Sequence, residues 1–168
     1  MSSDVIMSLG ADQMANQFVI LFPGGIPGGG NKDAVSMRVM GAFTIPNITY
    51  DTYDIDYRGL KVTQVSTKEA TDKSFTLELR LDQQWEVFDG LKNWLDMVFD
   101  PETHIGLPTD AIRTTAIIQA YGRNDEIVKT ISFKGVVIKS LQVSPFDPGS
   151  SEPSIVTAEF AFFNMFFE

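Results

Sequence analysis

Cysteine is absent from this 168-residue chain, which excludes a disulfide framework and any thiolate-bound metal and leaves packing and strand pairing to hold the fold. Histidine occurs once, as His104. Only Asp100 and Glu102 lie near it in sequence, too few partners for acid-base or metal chemistry. No apolar run reaches the length of a membrane-spanning helix, and no basic region precedes the few apolar residues at the N-terminus, so a soluble protein, cytoplasmic when made, is expected. Cations are scarce: 13 Lys and Arg stand against 22 Asp and Glu, a formal net charge of −9. Gripping nucleic acid requires clustered cations that displace counterions, and this balance disfavours it.

The motifs that could carry chemistry fail in turn. Pro23 to Gly30 reads PGGIPGGG, but a phosphate loop needs Lys directly after its last Gly, and here Asn31 follows. The two prolines also remove backbone donors, so a flexible surface loop is expected. Asp51, Asp54 and Asp56 lack the spacing of a calcium loop, and on a strand Asp51 faces away from the other two. No Gly-x-Ser-x-Gly elbow occurs. No catalytic, cofactor-binding or metal-binding residue is expected, and the chain reads as a non-enzyme.

What the chain has in abundance is hydrophobic residues, 43%, enough for one domain with a sizeable core across residues 1–168. Residues 1–15 read as an N-terminal arm. Asn16 to Phe22, Val35 to Ala42 and Ile48 to Tyr57 read as strands punctuated by Pro and Gly. Arg58 to Lys73 is polar and reads as a long connection, a length uncommon in compact domains unless the loop has a job. Phe75, Leu77, Leu79 and Leu81 then alternate as a strand from Ser74 to Asp82. Gln84 to Phe99 follows as an amphipathic helix, with Trp85, Phe88, Leu91, Leu95 and Val98 on one face and Glu86, Asp89, Asn93 and Asp96 on the other. Arg113 to Tyr121 and Glu126 to Phe133 flank the turn residues Gly122 to Asp125 as a hairpin. Gly135 marks a bulge or turn, and Val136 to Val143 is a further strand.

The last strand, Ser154 to Phe167, is apolar on both faces near its end. Phe163, Met165 and Phe167 exceed what one core needs and read as an inter-subunit surface. The tally is mainly β: a barrel or sandwich of antiparallel strands with one flanking α-helix.

The segments NQFVILF, GAFTIPNI, YRGLKV, FTLELRLDQQWEVFDGLKNWL, AIIQAYGRNDEIVKTISFKGVVIKSL and VTAEFAFFNMFF span most of the chain. In this order they resemble the inner tube proteins of contractile phage tails, related to the tubes of type VI secretion and other contractile injection systems. The PGGIPGGGNKD loop looks longer and the Phe-rich C-terminus heavier than in the simplest members. Tube-initiating baseplate proteins share the fold.

The resemblance implies a phage tail tube-like homo-hexamer whose rings stack into a tube driven by sheath contraction, with sheath, baseplate and tape-measure proteins as partners. DNA would pass the lumen without specific binding. The place would be the virion tail, assembled in the host cytoplasm, with no membrane span and no cofactor. By the same resemblance residues 58–73, with Arg58, Lys61, Lys68, Glu69, Asp72 and Lys73, reach an adjacent ring, and the helix packs outside the barrel. Asp54, Asp56 and Glu78 are candidates for an acidic channel face, each alternating with apolar neighbours. The alternatives are the tube of an injection or secretion device carrying protein effectors, and a small ligand-binding β-barrel.

Overall fold

The computed structural model describes residues 17–30, 32–40 and 43–168; the proposed N-terminal arm lies outside them. In chain order the described elements are β1 (Phe18–Leu21), α1 (Lys32–Arg38), β2 (Val39–Met40), β3 (Tyr50–Tyr57), β4 (Leu60–Glu69), β5 (Ser74–Arg80), α2 (Glu86–Val98), α3 (Thr109–Ile112), β6 (Thr114–Tyr121), β7 (Ile127–Val143), β8 (Ile155–Ala161) and β9 (Asn164–Phe167). Seven strands form one antiparallel sheet in the order β1-β6-β7-β8-β5-β2, with β9 also paired to β7. Strands β3 and β4 form a separate two-stranded sheet. The expectation of a mainly antiparallel β-fold with a flanking helix is borne out.

The long strand β7 makes one sheet serve as two walls. Its first half pairs with β6 and β9, with Ile118 opposite Ile131 and Met165 opposite Phe133. Its second half pairs with β8, with Ile138 opposite Phe160. Between the halves Gly135 has a φ of 70°, a conformation that glycine adopts without penalty, and the register slips between Ile138 and Ser140. These irregularities bend the strand and turn the two halves toward each other. Phe133 from one wall then meets Phe75 and Phe162 from the other, at centroid separations of 4.9 and 5.0 Å. Phe75 also stacks on its cross-strand partner Phe160 at 5.2 Å. Aromatic pairs at such separations add about 0.5–1.5 kcal/mol each beyond burial.

Helix α2 closes the open side. Its buried stripe is Val87, Gly90, Leu91 and Trp94; of the face expected from sequence, Leu91 is in this stripe and Phe88, Leu95 and Val98 pack partly buried against the same core, while Trp85 leaves it. Trp85 lies before the helix in left-handed backbone, φ 58°, so it points away from the core and is half-buried with Phe88. Trp94 takes its place: fully buried, it packs on Phe22 and Phe160. Its indole Nε1 donates to the Ile112 carbonyl at 2.6 Å, tying α2 to α3. At the other end the Asp82 carboxylate accepts from the Glu86 N–H at 3.1 Å, capping a donor that the helix itself leaves unpaired.

Four further segments differ from expectation. Val35 to Arg38 is the end of a helix, not a strand: Asp33 in its first turn and Arg38 in its last complement the helix dipole. The glycine loop is packed, with Ile26 buried in the core and Gly28 against α2. Leu60–Glu69 is a strand, not a loop. The C-terminal run is two strands, because Phe162 turns into the core and the Phe163 N–H bonds the Lys134 carbonyl at 2.9 Å, moving the chain from the β5 side of β8 to the first half of β7.

A Cβ on Gly28 would overlap the backbone nitrogen of Trp94 and the Gly90 carbonyl oxygen, atoms that cannot move without shifting the helix. Gly28→Ala is therefore expected to cost about 1–3 kcal/mol or more and to lower the melting temperature by roughly 3–10 °C. Gly24→Ala meets only the Thr114 Oγ1 at 3.4 Å and should melt near the parent. Equal melting of the two variants would refute the tight contact.

Candidate assembly interface

The β3–β4 hairpin is the largest element that the core does not hold. Its register places Tyr57 opposite Leu60, Ile55 opposite Val62 and Tyr53 opposite Gln64 on one face. Asp56 opposite Lys61, Asp54 opposite Thr63 and Thr52 opposite Val65 form the other. The turn is Arg58-Gly59 with φ of 49° and 81°, the doubly left-handed geometry that matches strand twist in two-residue hairpins. At about 3.4 Å per residue, eight residues of β3 project roughly 25 Å.

The polar face is self-satisfied. Lys61 Nζ sits 3.1 Å from Asp54 Oδ2, and the Thr63 hydroxyl donates to Asp54 at 2.8 Å; at the register shift near the hairpin's base Lys68 lies 3.3 Å from Asp51. Lys73 pairs with Glu69 at 3.0 Å; bonds from Lys73 and Thr71 hold the Glu69 carboxyl below its usual range. The apolar face is not. Among the described residues no third strand pairs with the hairpin, and Tyr57 and Leu60 are 62% and 69% exposed. A two-stranded hairpin is marginal alone in water, and five neighbouring apolar side chains on one face need a cover.

The sheet also has open edges. Among the described residues strand β1 pairs only with β6. Strand β2 covers β5 only at Leu79 and Glu78, leaving Ser74 to Leu77 without a partner on that side among the described residues.

The residues singled out from sequence fall in separate places. Asp54 and Asp56 lie on the polar hairpin face and Glu78 on the outward face of β5, opposite Thr157. That wall carries both signs: Arg80 shares it, and Lys139 pairs with Glu159 at 2.8 Å, which holds the Lys139 ammonium above its usual range. Arg58, Lys61 and Lys68 belong to the hairpin, with Glu69 at its end and Asp72 and Lys73 beyond it. Met165 packs against this protomer's own core. Phe163 and Phe167 stay partly exposed, and the Arg113 guanidinium covers the Phe163 ring at 3.8 Å. Tyr53, Ile55, Tyr57, Leu60 and Val62 were not singled out, although their alternation around an Arg-Gly pair is the signature of a hairpin with one apolar face. Among the described residues no cluster of three acidic or histidine side chains could hold a metal ion.

This fold is shared with solved components of contractile injection particles. A chain of an extracellular contractile injection system, in the PVC sheath/tube terminator in its extended state, superposes with a TM-score of 0.66 at 14% identity, covering 95% of this chain and 99% of that one. A chain of the anti-feeding prophage baseplate gives 0.64 at 15% identity over 95% and 97%. A chain of the PVC sheath-tube complex gives 0.60 at 15% identity over 100% and 99%. The chain thus has the fold of the tube proteins of contractile systems. No protein-family model matches the sequence, and no curated protein matches it.

Proposed function

We propose that this protein is a structural subunit of the inner tube of a contractile particle, assembling as hexameric rings that stack. The observation that carries this reading is the projecting hairpin with one self-paired polar face and one bare apolar face. A neighbouring copy in the next ring would cover Tyr53, Ile55, Tyr57, Leu60 and Val62. Within a ring, the β1 edge of one protomer would join the β5–β2 edge of the next, closing the sheets into a barrel without free edges. Function would then be mechanical: a rigid conduit, surrounded by a sheath and seated on a baseplate, through which DNA or effector protein passes. The filling of the protomer interior by Phe75, Phe133, Phe160 and Phe162 speaks against a ligand-binding barrel, which needs an apolar pocket. Negative-stain imaging of the purified protein tests this. Six-fold rings or tubes with a central hole are expected, and a monodisperse monomer at all concentrations overturns it.

A further inference from the structure

The wall built by β5 and β8 has two unlike ends. In β5, Ser74 lies opposite Ala161 and Arg80 opposite Ile155, so the ends of the strand are about 20 Å apart at 3.4 Å per residue. The β3–β4 hairpin leaves from the Ser74 end: the Ala70 N–H bonds the Thr49 carbonyl at 2.8 Å across its base, and the Lys73 carbonyl accepts from Phe162. Exposure along nearly all of β3 and β4 means that the hairpin projects from this end and does not fold back on the body. At the Arg80 end the β7–β8 loop frames an open hollow of about 600 Å³, lined in part by Phe146, Asp147 and Glu152. Phe146 is 70% exposed and rests against Trp85, with ring centroids 6.2 Å apart. Among the described residues neither carboxylate has a cation within ion-pairing distance.

The five arginines are held differently. Arg38 ends α1, and Arg80 stands on β5 near the hollow without pairing with its carboxylates. Arg113 covers Phe163 and donates to the Gly135 carbonyl. Arg123 sits in the β6–β7 turn, followed closely by Asp125 and Glu126. Only Arg58 heads a projecting element, 5.6 Å from the centroid of the Tyr57 ring. Lys61, Lys68 and Lys73 each pair with a carboxylate of the hairpin segment; among the described residues Arg58 pairs with none.

We propose that the hollow of one copy receives the hairpin tip of a second copy in the next ring, with the Arg58 guanidinium over Phe146 and against Asp147 and Glu152. This rests on the stacked-ring reading and adds the receiving surface to it. Copies stacked in one orientation bring the hairpin end of each to the hollow end of the next. A guanidinium suits both halves of the receiver, because it stacks on an aromatic ring and also forks carboxylate oxygens. The apolar face of the hairpin supplies affinity without direction, since burial of apolar surface is non-directional. The tip contact supplies the direction. It joins two different surfaces of the same chain, so along the stack it is heterologous and does not close on itself, as a growing tube requires.

The test is a charge swap, read by negative-stain imaging and sedimentation as the protein concentration at which tubes appear. Arg58→Glu and Glu152→Arg should each raise that concentration roughly tenfold, and Phe146→Ser roughly three- to tenfold. The two charge variants move the net charge in opposite directions, so a loss from both cannot come from overall repulsion. Together in one chain they restore the pair with its signs exchanged, and tubes should return near the parent concentration. Asp147 is left in place because its carboxylate also accepts the Gly149 N–H at 2.9 Å and shapes the loop. Arg123→Glu, the same charge change in a different turn, should leave stacking unchanged. A double variant no better than the single ones, or an equal loss from Arg123→Glu, overturns this contact, while tubes of the parent protein leave the ring reading standing. A parent that forms no tubes overturns both.

Discussion

Replacing Trp94 by alanine is expected to lower the melting temperature by about 6–16 °C, the largest loss available from one side chain in this protein. Trp94 is fully buried between Phe22, Phe160 and the turn before β6. Truncating a buried Trp or Phe to Ala costs about 3–5 kcal/mol through lost transfer energy and the cavity left behind. The Ile112 carbonyl also loses its 2.6 Å donor, and an unmade buried hydrogen bond adds about 1–3 kcal/mol unless water reaches it. Against a total of about 5–15 kcal/mol for an ordinary domain this is a large share. Trp94→Phe separates the two causes, since it keeps most of the volume and removes only the donor. Its melting point should fall between parent and alanine variant. A loss of less than about 3 °C for Trp94→Ala in a circular-dichroism melt would show that α2 is not anchored here.

The second large effect concerns assembly and not folding. The double variant Ile55→Asp/Val62→Asp should leave the protomer's melting point within about 2 °C of the parent, because surface substitutions on an element held by no other change little. It should weaken association between copies at least about 100-fold, since each contact loses two buried aliphatic side chains, worth about 1.5–3 kcal/mol apiece, and would bury unpaired carboxylates instead. Sedimentation and imaging read this directly: stacked assemblies should disappear, leaving rings or smaller species. Undiminished tube length would sink the assignment of the hairpin as the stacking element. Substitution is a cleaner probe than deleting Thr67 to Lys73. That segment includes the end of β4, and the Lys73 carbonyl accepts from Phe162 N–H at 3.0 Å, so deletion would disturb the core as well.

Legibility followed the range of the interactions. The β5–α2 unit was readable because its periods are local: Phe75, Leu77 and Leu79 alternate into the core, and the helix repeats its buried positions every three or four residues. Most of the helix's apolar face was readable too, since Phe88, Leu91, Leu95 and Val98 all meet the core; which tryptophan leads it was not, because the left-handed turn at Trp85 puts that residue outside and Trp94 takes the buried place. Strand β4 was missed because its Lys, Thr and Ser content is that of a loop, and an element exposed on both faces has no buried alternation to betray it. The break between β8 and β9 was hidden for the opposite reason. Hydrophobicity runs unbroken through Phe160, Phe162, Phe163 and Met165, and only a change of partner strand divides it.

The sequence by itself determined the outline of this protein: no disulfides, an acidic balance, and a mainly antiparallel β-fold with a covering helix. Composition and local period set these, and they survive any arrangement of the strands. Tertiary structure alone decided where the surplus residues went. It set Tyr53, Ile55, Tyr57, Leu60 and Val62 on one bare face and placed cations beside the carboxylates on the wall that holds Glu78. The reason is physical. Which face a side chain occupies depends on register and on the partner strand, both fixed by contacts between residues far apart in the chain, where a slip of one position would send every side chain to the opposite face.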